Sequence, residues 1–276
     1  MRRRRLARIG LYLGAGAFLA FTLFPVYWAA VSSLESGAAL FTIDYWPRDP
    51  AWENYSDVFA DQPFGRNIAN SVIVATLTVG LSLALAAGAG FALGRVSFRG
   101  RRLMLAVVLA TTMFPQVAVL AGMFELIRGL GLYNNLAGLA LSYLLFTLPF
   151  TVWVVTTFMR QVPAEIEAAA LIDGAPPWRV VWSILLPLVR PGLVTAGLLA
   201  FIGAWNEFLF ALTFTLTDAA RTVPVAIALI SGASQYELPW GRIMAASVIV
   251  TLPIVALAAV FQRRIATGLA AGAIKG

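Results

Sequence analysis

The strongest constraint on this chain is a set of long apolar blocks almost free of charge. They occupy 9–31, 68–93, 103–123, 136–158, 193–217 and 243–261 of the 276 residues. Each reaches the ~20 residues that carry a helix across ~30 Å of hydrocarbon. Only helices and closed barrels satisfy their backbone in lipid, and these blocks lack the strict polar–apolar alternation of barrel strands. Composition agrees: 60% of residues are hydrophobic and 12% charged, against about 25% charged in a soluble domain. The expected fold is therefore all-α and integral to the membrane, with six transmembrane helices forming one domain over 1–276.

The connecting segments give the direction of the spans. Arg2, Arg3, Arg4, Arg5, Arg8, Arg95, Arg99, Arg101, Arg102, Arg160, Arg179, Arg190, Arg263, Arg264 and Lys275 fall on one side. Only Arg48, Arg66, Arg128, Arg221 and Arg242 fall on the other. The positive-inside rule makes the first side cytoplasmic, with both termini there. The basic residues then lie beside anionic headgroups, which accounts for a net charge of +7 without nucleic acid. The first block is too long for a signal-peptide core and no clear small-x-small cleavage site ends it before Glu35, so it reads as a retained signal anchor.

The segment 32–67 collects Glu35, Asp44, Asp49, Glu53, Asp57 and Asp61 with Tyr45, Trp46, Trp52 and Tyr55. An interfacial aromatic belt explains most of these; a small external structure facing a partner is the sharper reading. Pro25, Pro115, Pro149, Pro187 and Pro253 lie in or near the ends of spans, and those within spans are expected to kink them. Ala86, Ala87, Gly88, Ala89 and Gly90 suit close helix packing.

Several chemistries are excluded. There is no histidine and no cysteine, which removes the commonest general base, metal ligand and thiolate nucleophile. No metal site is expected. No G-x-x-x-x-G-K-[ST] loop occurs, and the only lysine is Lys275. The chain is not expected to be an enzyme or to hydrolyse ATP.

The most informative stretch is the 160–191 loop, RQVPAEIEAAALIDGAPPWRVVWSILLPLVRP. Pro163 suits a first helical turn, and Glu165 and Glu167 suit its positive end. Ala168, Ala169 and Ala170 favour helix without bulk. Gly174 suits a left-handed cap, and Pro176-Pro177 opposes continuation. The sequence specifies a short helix, a sharp turn and a second amphipathic segment. Such a helix can press against another protein or lie on the bilayer surface.

This loop resembles the cytoplasmic "EAA" loop of ABC importer permeases. That motif has Glu-Ala-Ala, a Gly six residues after the Glu, an Ile ten further on, then Leu and Pro. Gly174, Ile184, Leu186 and Pro187 fit it in one register, and Asp173 and Ala175 complete the Asp-Gly-Ala of the sugar branch. Six before Gly174 stands Ala168, with Glu167 one residue earlier. Thr112-Met113-Phe114-Pro115, the stretch 129–135 (GLGLYNN), Leu148-Pro149-Phe150, Trp205-Asn206-Glu207 and the final QRRIATGLAAGAIKG also resemble the maltose/trehalose-type permeases. The chain is most similar to the smaller, six-span permease of that family. Residues 224–230 and Gly232-Ala233-Ser234-Gln235-Tyr236 resemble trehalose permeases.

The resemblance implies a permease subunit in the cytoplasmic membrane of a bacterium or archaeon. It would form half of the pathway for a neutral sugar, a disaccharide such as trehalose or maltose. It implies a second homologous permease, two ATP-binding subunits that hold ATP and Mg²⁺, and an extracytoplasmic sugar-binding protein. Glu165, Glu167, Ala169, Ala170, Asp173, Gly174, Ala175, Ile184, Leu186 and Pro187 would couple to the ATPase, with Ala169 to Ala175 as the coupling helix.

Glu207 is the one acid within the six blocks, and an intramembrane carboxylate is a functional hypothesis by default. With Trp205 and Asn206 it offers hydrogen bonds and an aromatic face suited to a sugar, or else a structural contact between helices. The blocks hold no Lys or Arg in their apolar cores, which favours a neutral solute over a phosphorylated one. The alternative function is an ion-coupled secondary carrier. Such carriers usually need more buried carboxylates and repeated halves.

Overall fold

A computed structural model describes residues 2–37, 42, 44–231 and 238–273, with side chains from residue 8 to residue 262. Lys275 and the 232–236 stretch lie outside the described residues, as do the side chains of Arg2, Arg3, Arg4, Arg5, Arg263 and Arg264.

The described residues form helices and no strand. In order they are α1 (Arg2–Ser32), α2 (Glu53–Ala60), α3 (Phe64–Gly94), α4 (Arg101–Ala110), α5 (Gln116–Gly129), α6 (Leu136–Gln161), α7 (Ala164–Ile172), α8 (Pro177–Leu188), α9 (Arg190–Trp205), α10 (Leu209–Phe214), α11 (Val223–Ala228) and α12 (Trp240–Ala273). Four are long and apolar enough to cross a bilayer alone: α1, α3, α6 and α12. Two bent pairs, α4 with the turn after it and α5, bent by 97°, and α8 with α9, bent by 77°, raise the count among the described residues to as many as six if each pair contributes one span.

The fifth block differs from its expected outline. The helix that carries it begins at Arg190 and stops at Trp205, and α10 is a separate short element beyond a break at Asn206–Phe208. Thr215 is extended, so the block does not end in helix at 217.

Backbone contacts divide the chain into two units. The first comprises Met1–Phe64 and Ile227–Pro253. Here α1 exposes apolar side chains along its described length, as Leu11, Phe18 and Phe21 show; bilayer acyl chains are the natural cover for such a surface. After it the chain is ordered by polar contacts. The buried Asn54 amide donates to the carbonyls of Ser33 and Glu35, each at 3.0 Å. Ser33 and Tyr55 share a hydrogen bond of 2.7 Å, and Arg242 pairs with Asp61. The segment after the first span is thus a built structure, while Trp46 and Trp52 stay exposed as belt residues do.

The second unit comprises Gly65–Ala226 and Ile254–Gly276. Its core has two clusters. One gathers Val74, Leu139, Tyr143, Ala204, Phe210 and Phe214. The other gathers Ala86, Leu93, Val155, Met159, Val180 and Leu185. Small residues let α3 and α6 approach closely: a methyl group on Gly90 would lie 2.6 Å from Val155 Cγ1. Ser82 and Thr147 satisfy each other inside this contact at 2.9 Å. At one end, the Asn67 and Asn70 amides both donate to the Arg221 carbonyl, at 3.1 and 2.9 Å, and pin the chain before α11.

Prolines act unequally. Pro25, Pro149 and Pro253 lie within continuous helices. Pro115 marks a full break: Phe114 is extended at φ −71°, ψ 130°, as a residue preceding proline prefers.

Candidate functional site

The 160–191 loop folds as its residues dictate. Pro163 precedes α7, Glu165 and Glu167 occupy its first turn, and the helix ends at Ile172. Gly174 takes φ +78°, the left-handed conformation that glycine adopts without steric penalty. The Ala175 N–H returns to the Ala170 carbonyl at 3.0 Å and the Gly174 N–H to that of Leu171 at 3.1 Å, closing the helix end. Asp173, Gly174 and Ala175 therefore form the turn after the helix rather than part of it. The next segment, α8, includes a π-helical stretch over Val180–Leu185.

Between α7 and α8 lies a cleft of about 420 Å³. It brings together Ala169, Ala170, Asp173, Gly174, Ala175 and Ile184, joined by Arg179 and Ser183. Glu165, Leu186 and Pro187 lie outside its lining. Ile172, at 86% exposure, projects an aliphatic side chain from the end of α7. An open cleft of small residues with a bare aliphatic beside it suits a protein surface.

Glu167 has a partner that sequence reading did not foresee. Arg95, just beyond α3, donates from Nε to Glu167 Oε2 at 2.8 Å. Its Nη1 donates to the Val162 carbonyl at 2.7 Å. The guanidinium is nearly buried, with 9% of its side chain exposed. Nearby, Arg160 donates to the Leu93 carbonyl at 3.1 Å. The end of α3 is thereby tied to both the end of α6 and the start of α7. The one signal for this was an arginine closing an apolar block, indistinguishable from its basic neighbours.

The Trp205–Glu207 triplet is split by the end of α9. Trp205 is buried and stacks on Phe201 with centroids 5.9 Å apart. Asn206 is exposed and donates to the Ile202 carbonyl at 2.8 Å. Glu207 is buried; its oxygens accept from the N–H groups of Phe210 and Ala211 at 2.9 and 3.1 Å. It caps the short helix α10, near the buried hydroxyl of Tyr143.

A second cavity, of about 320 Å³, lies at the break in the third block. Thr111, Thr112 and Gln116 line it, together with Phe114 and Phe146. No group of three or more acidic ligands fit to hold a metal occurs among the described residues.

Apolar helices in this number, with a backbone break inside one block and an exposed small-residue loop, describe a multi-pass membrane transport component. Residues 80–270 match the family described as binding-protein-dependent transport system inner membrane component, and the chain belongs to that family. It is 38% identical to the trehalose transport system permease protein SugB of Mycobacterium tuberculosis, over 93% of each chain. It is 40% identical to the trehalose/maltose transport system permease protein MalG of Thermococcus litoralis, over the full length of both. Identity to the sulfoquinovosyl glycerol transport system permease protein SmoH of Agrobacterium fabrum is 37%, over 96% of this chain and 93% of that one. The fold matches a chain in the crystal structure of a bacterial ABC transporter involved in the import of the acidic polysaccharide alginate. There the TM-score is 0.79 at 24% identity, over 95% of this chain and 98% of the other.

Proposed function

We propose that this chain is a permease subunit of an ATP-driven importer and forms half of the pathway for a neutral sugar, with trehalose and maltose as the first candidates. The observation that carries this reading is the loop after α6: a small-residue helix, a left-handed Gly174 and an open cleft in the register of the EAA motif. Relatives that transport trehalose, maltose or sulfoquinovosyl glycerol favour a sugar as cargo. The absence of a phosphate-binding loop requires ATP hydrolysis in another subunit.

The expected assembly has a second homologous permease, two ATP-binding subunits holding ATP and Mg²⁺, and an extracytoplasmic binding protein. The distribution of basic residues favours a cytoplasmic position for both termini and the 160–191 loop. Closure of the ATPase pair moves α7 and α8 as a rigid body and switches the pathway between outward and inward access. Glu165, Leu186 and Pro187 shape or flank the surface that docks; the residues lining the cleft receive the ATPase. Trp205 and Glu207 shape the region from within, and Asn206 is the member of that triplet exposed to a solute.

The test is reconstitution of this permease with its partner permease, ATPase and binding protein in proteoliposomes. ATP-dependent uptake of labelled trehalose or maltose is expected. Gly174→Asp is expected to insert normally while losing transport and ATPase association. Ion-driven solute movement by the purified chain alone would overturn the reading in favour of a secondary carrier.

A further inference from the structure

The third apolar block is interrupted within its length. A 3-10 turn at Thr111–Met113 follows α4, Phe114 is extended, and α5 starts at Gln116 at a steep angle to α4. Residues 111–118 are all exposed in this chain. The break leaves carbonyl groups before Pro115 and N–H groups after it without helical partners. Acyl chains cannot satisfy such groups, so irregular backbone at membrane depth faces protein or a water-filled cavity. This face is therefore not a lipid-facing one.

The side chains there decide between a sealed contact and a wet path. The Thr112 hydroxyl donates to the Leu109 carbonyl at 2.7 Å, which leaves its lone pairs free to accept. The Gln116 amide, able to donate and accept, has no partner among the described residues. No charged residue lines the cavity, and Phe114 and Phe146 supply apolar ring surface. Neutral hydroxyl-binding groups beside aromatic faces suit a sugar ring, polar at its edge and apolar on its C–H face. The volume, about 320 Å³, lies at the lower end of small-molecule sites, as befits one wall of a site shared with a second subunit.

The geometry points to the Phe114–Pro115 break as a sugar station on the translocation pathway, where Thr112 and Gln116 hydrogen-bond to hydroxyls of the passing solute. This rests on the importer reading above. Thr112→Val and Gln116→Leu keep nearly the same volume and are more apolar, so membrane insertion is not compromised.

The complete reconstituted transporter is assayed with labelled trehalose and maltose. Each variant is expected to lower maximal uptake about tenfold, the scale of one or two hydrogen bonds lost in transit. The apparent KM, set by the binding protein, is expected to hold, and ATP hydrolysis to continue. The chain has no cysteine, so Thr112→Cys and Gln116→Cys each introduce the one thiol of this chain, whose labelling is read on this subunit. Both thiols are expected to react with a water-soluble, membrane-impermeant thiosulfonate during turnover, and trehalose or maltose to slow that reaction. Thiols that do not react, or normal uptake by both apolar variants together with labelling that neither sugar slows, would overturn the assignment. Absence of uptake by the unaltered transporter would instead fail the importer reading, and the labelling result would still report whether the break is wet.

Discussion

Arg95 and Glu167, separated by 72 residues of chain, meet in an ion pair of 2.8 Å that fastens the first turn of α7 to the end of α3. Arg95 simultaneously caps α6 through the Val162 carbonyl. The loop that resembles a coupling element is thus braced to a membrane helix rather than hung from its two ends. A braced lever passes a push to the bundle; a loose one absorbs it.

Removing one partner tests the brace. Arg95→Ala leaves a partly buried carboxylate and a carbonyl without their donor, at a cost of about 1–3 kcal/mol. Transport is expected to fall while ATP hydrolysis persists, since coupling rather than catalysis is lost. Glu167→Gln, which keeps one acceptor oxygen, is expected to be milder. The reversed pair Arg95→Glu/Glu167→Arg is expected to recover part of the uptake lost by either reversal alone. Measured uptake per ATP across this cycle is the check, and a reversed pair no better than its single variants would show that the ion pair is incidental.

Gly174 separates backbone conformation from side-chain bulk. A Cβ there meets nothing within 4 Å inside the chain, so φ +78° is the internal constraint. Asparagine tolerates this region, whereas a β-branched residue is strained by about 1–2 kcal/mol or more. Gly174→Asn is expected to retain ATPase association and Gly174→Val to lose it, as read by co-purification from membranes.

Much of this was legible in the sequence because length and apolarity are local properties. The blocks at 9–31, 68–93, 136–158 and 243–261 became long helices, since each has the residues to span lipid. The left-handed turn was legible because Asp173-Gly174-Ala175 precedes two prolines. The breaks were harder. Pro25, Pro115, Pro149 and Pro253 look alike in sequence, yet only Pro115 ends a helix. There Thr111 and Thr112 bond to the carbonyls three residues back, at 2.7 Å each, and tighten the chain into a 3-10 turn before the proline. At Pro149, itself buried between the buried Thr147 and Thr151, α6 stays continuous. The Arg95–Glu167 pair was not legible, because nothing local to either residue points to the other.

Glu207 shows how an intramembrane acid serves structure. Its two oxygens hold the N–H groups of Phe210 and Ala211 at the start of α10. Glu207→Gln can keep one of these bonds and is expected to cost about 1 kcal/mol. Glu207→Ala leaves both donors buried and unpaired, at a cost of about 2–4 kcal/mol. Thermal unfolding of the detergent-solubilised protein is expected to rank wild type above Gln above Ala. Equal stability for all three would show that the cap on α10 is dispensable.

A pH effect is expected in the segment after α1. Burial, and then the charge of Asp44, raise the Glu35 carboxyl above its ordinary 4.5. The folded segment therefore holds the proton more tightly than the unfolded chain. The resulting stabilisation is fully present below the ordinary carboxylate value and is lost as pH rises through the raised one. Hydrogen exchange of residues 44–61, corrected for intrinsic rates, is expected to speed up between pH 4 and pH 7. Glu35→Gln, which stays neutral, is expected to flatten that change.

The contact between α3 and α6 leaves no room for a side chain at Gly90. A methyl at Gly90 would sit 2.6 Å from Val155 Cγ1 and 3.3 Å from the Thr156 backbone nitrogen. The first neighbour is a side chain that can be trimmed; the second is backbone that cannot. Gly90→Ala is expected to destabilise by about 1–3 kcal/mol, because Val155 is fully buried and the added methyl overpacks the contact. Val155→Ala alone opens a void and is also destabilising. Combined, the added methyl fills space left by the removed ones, so the double variant is expected to be more stable than the sum of the two losses by about 1 kcal/mol. Recovery should stay incomplete because the Thr156 nitrogen still crowds the new methyl. Additive losses in thermal unfolding would show that the two helices separate on substitution rather than repack, and that Gly90 does not limit how closely they approach.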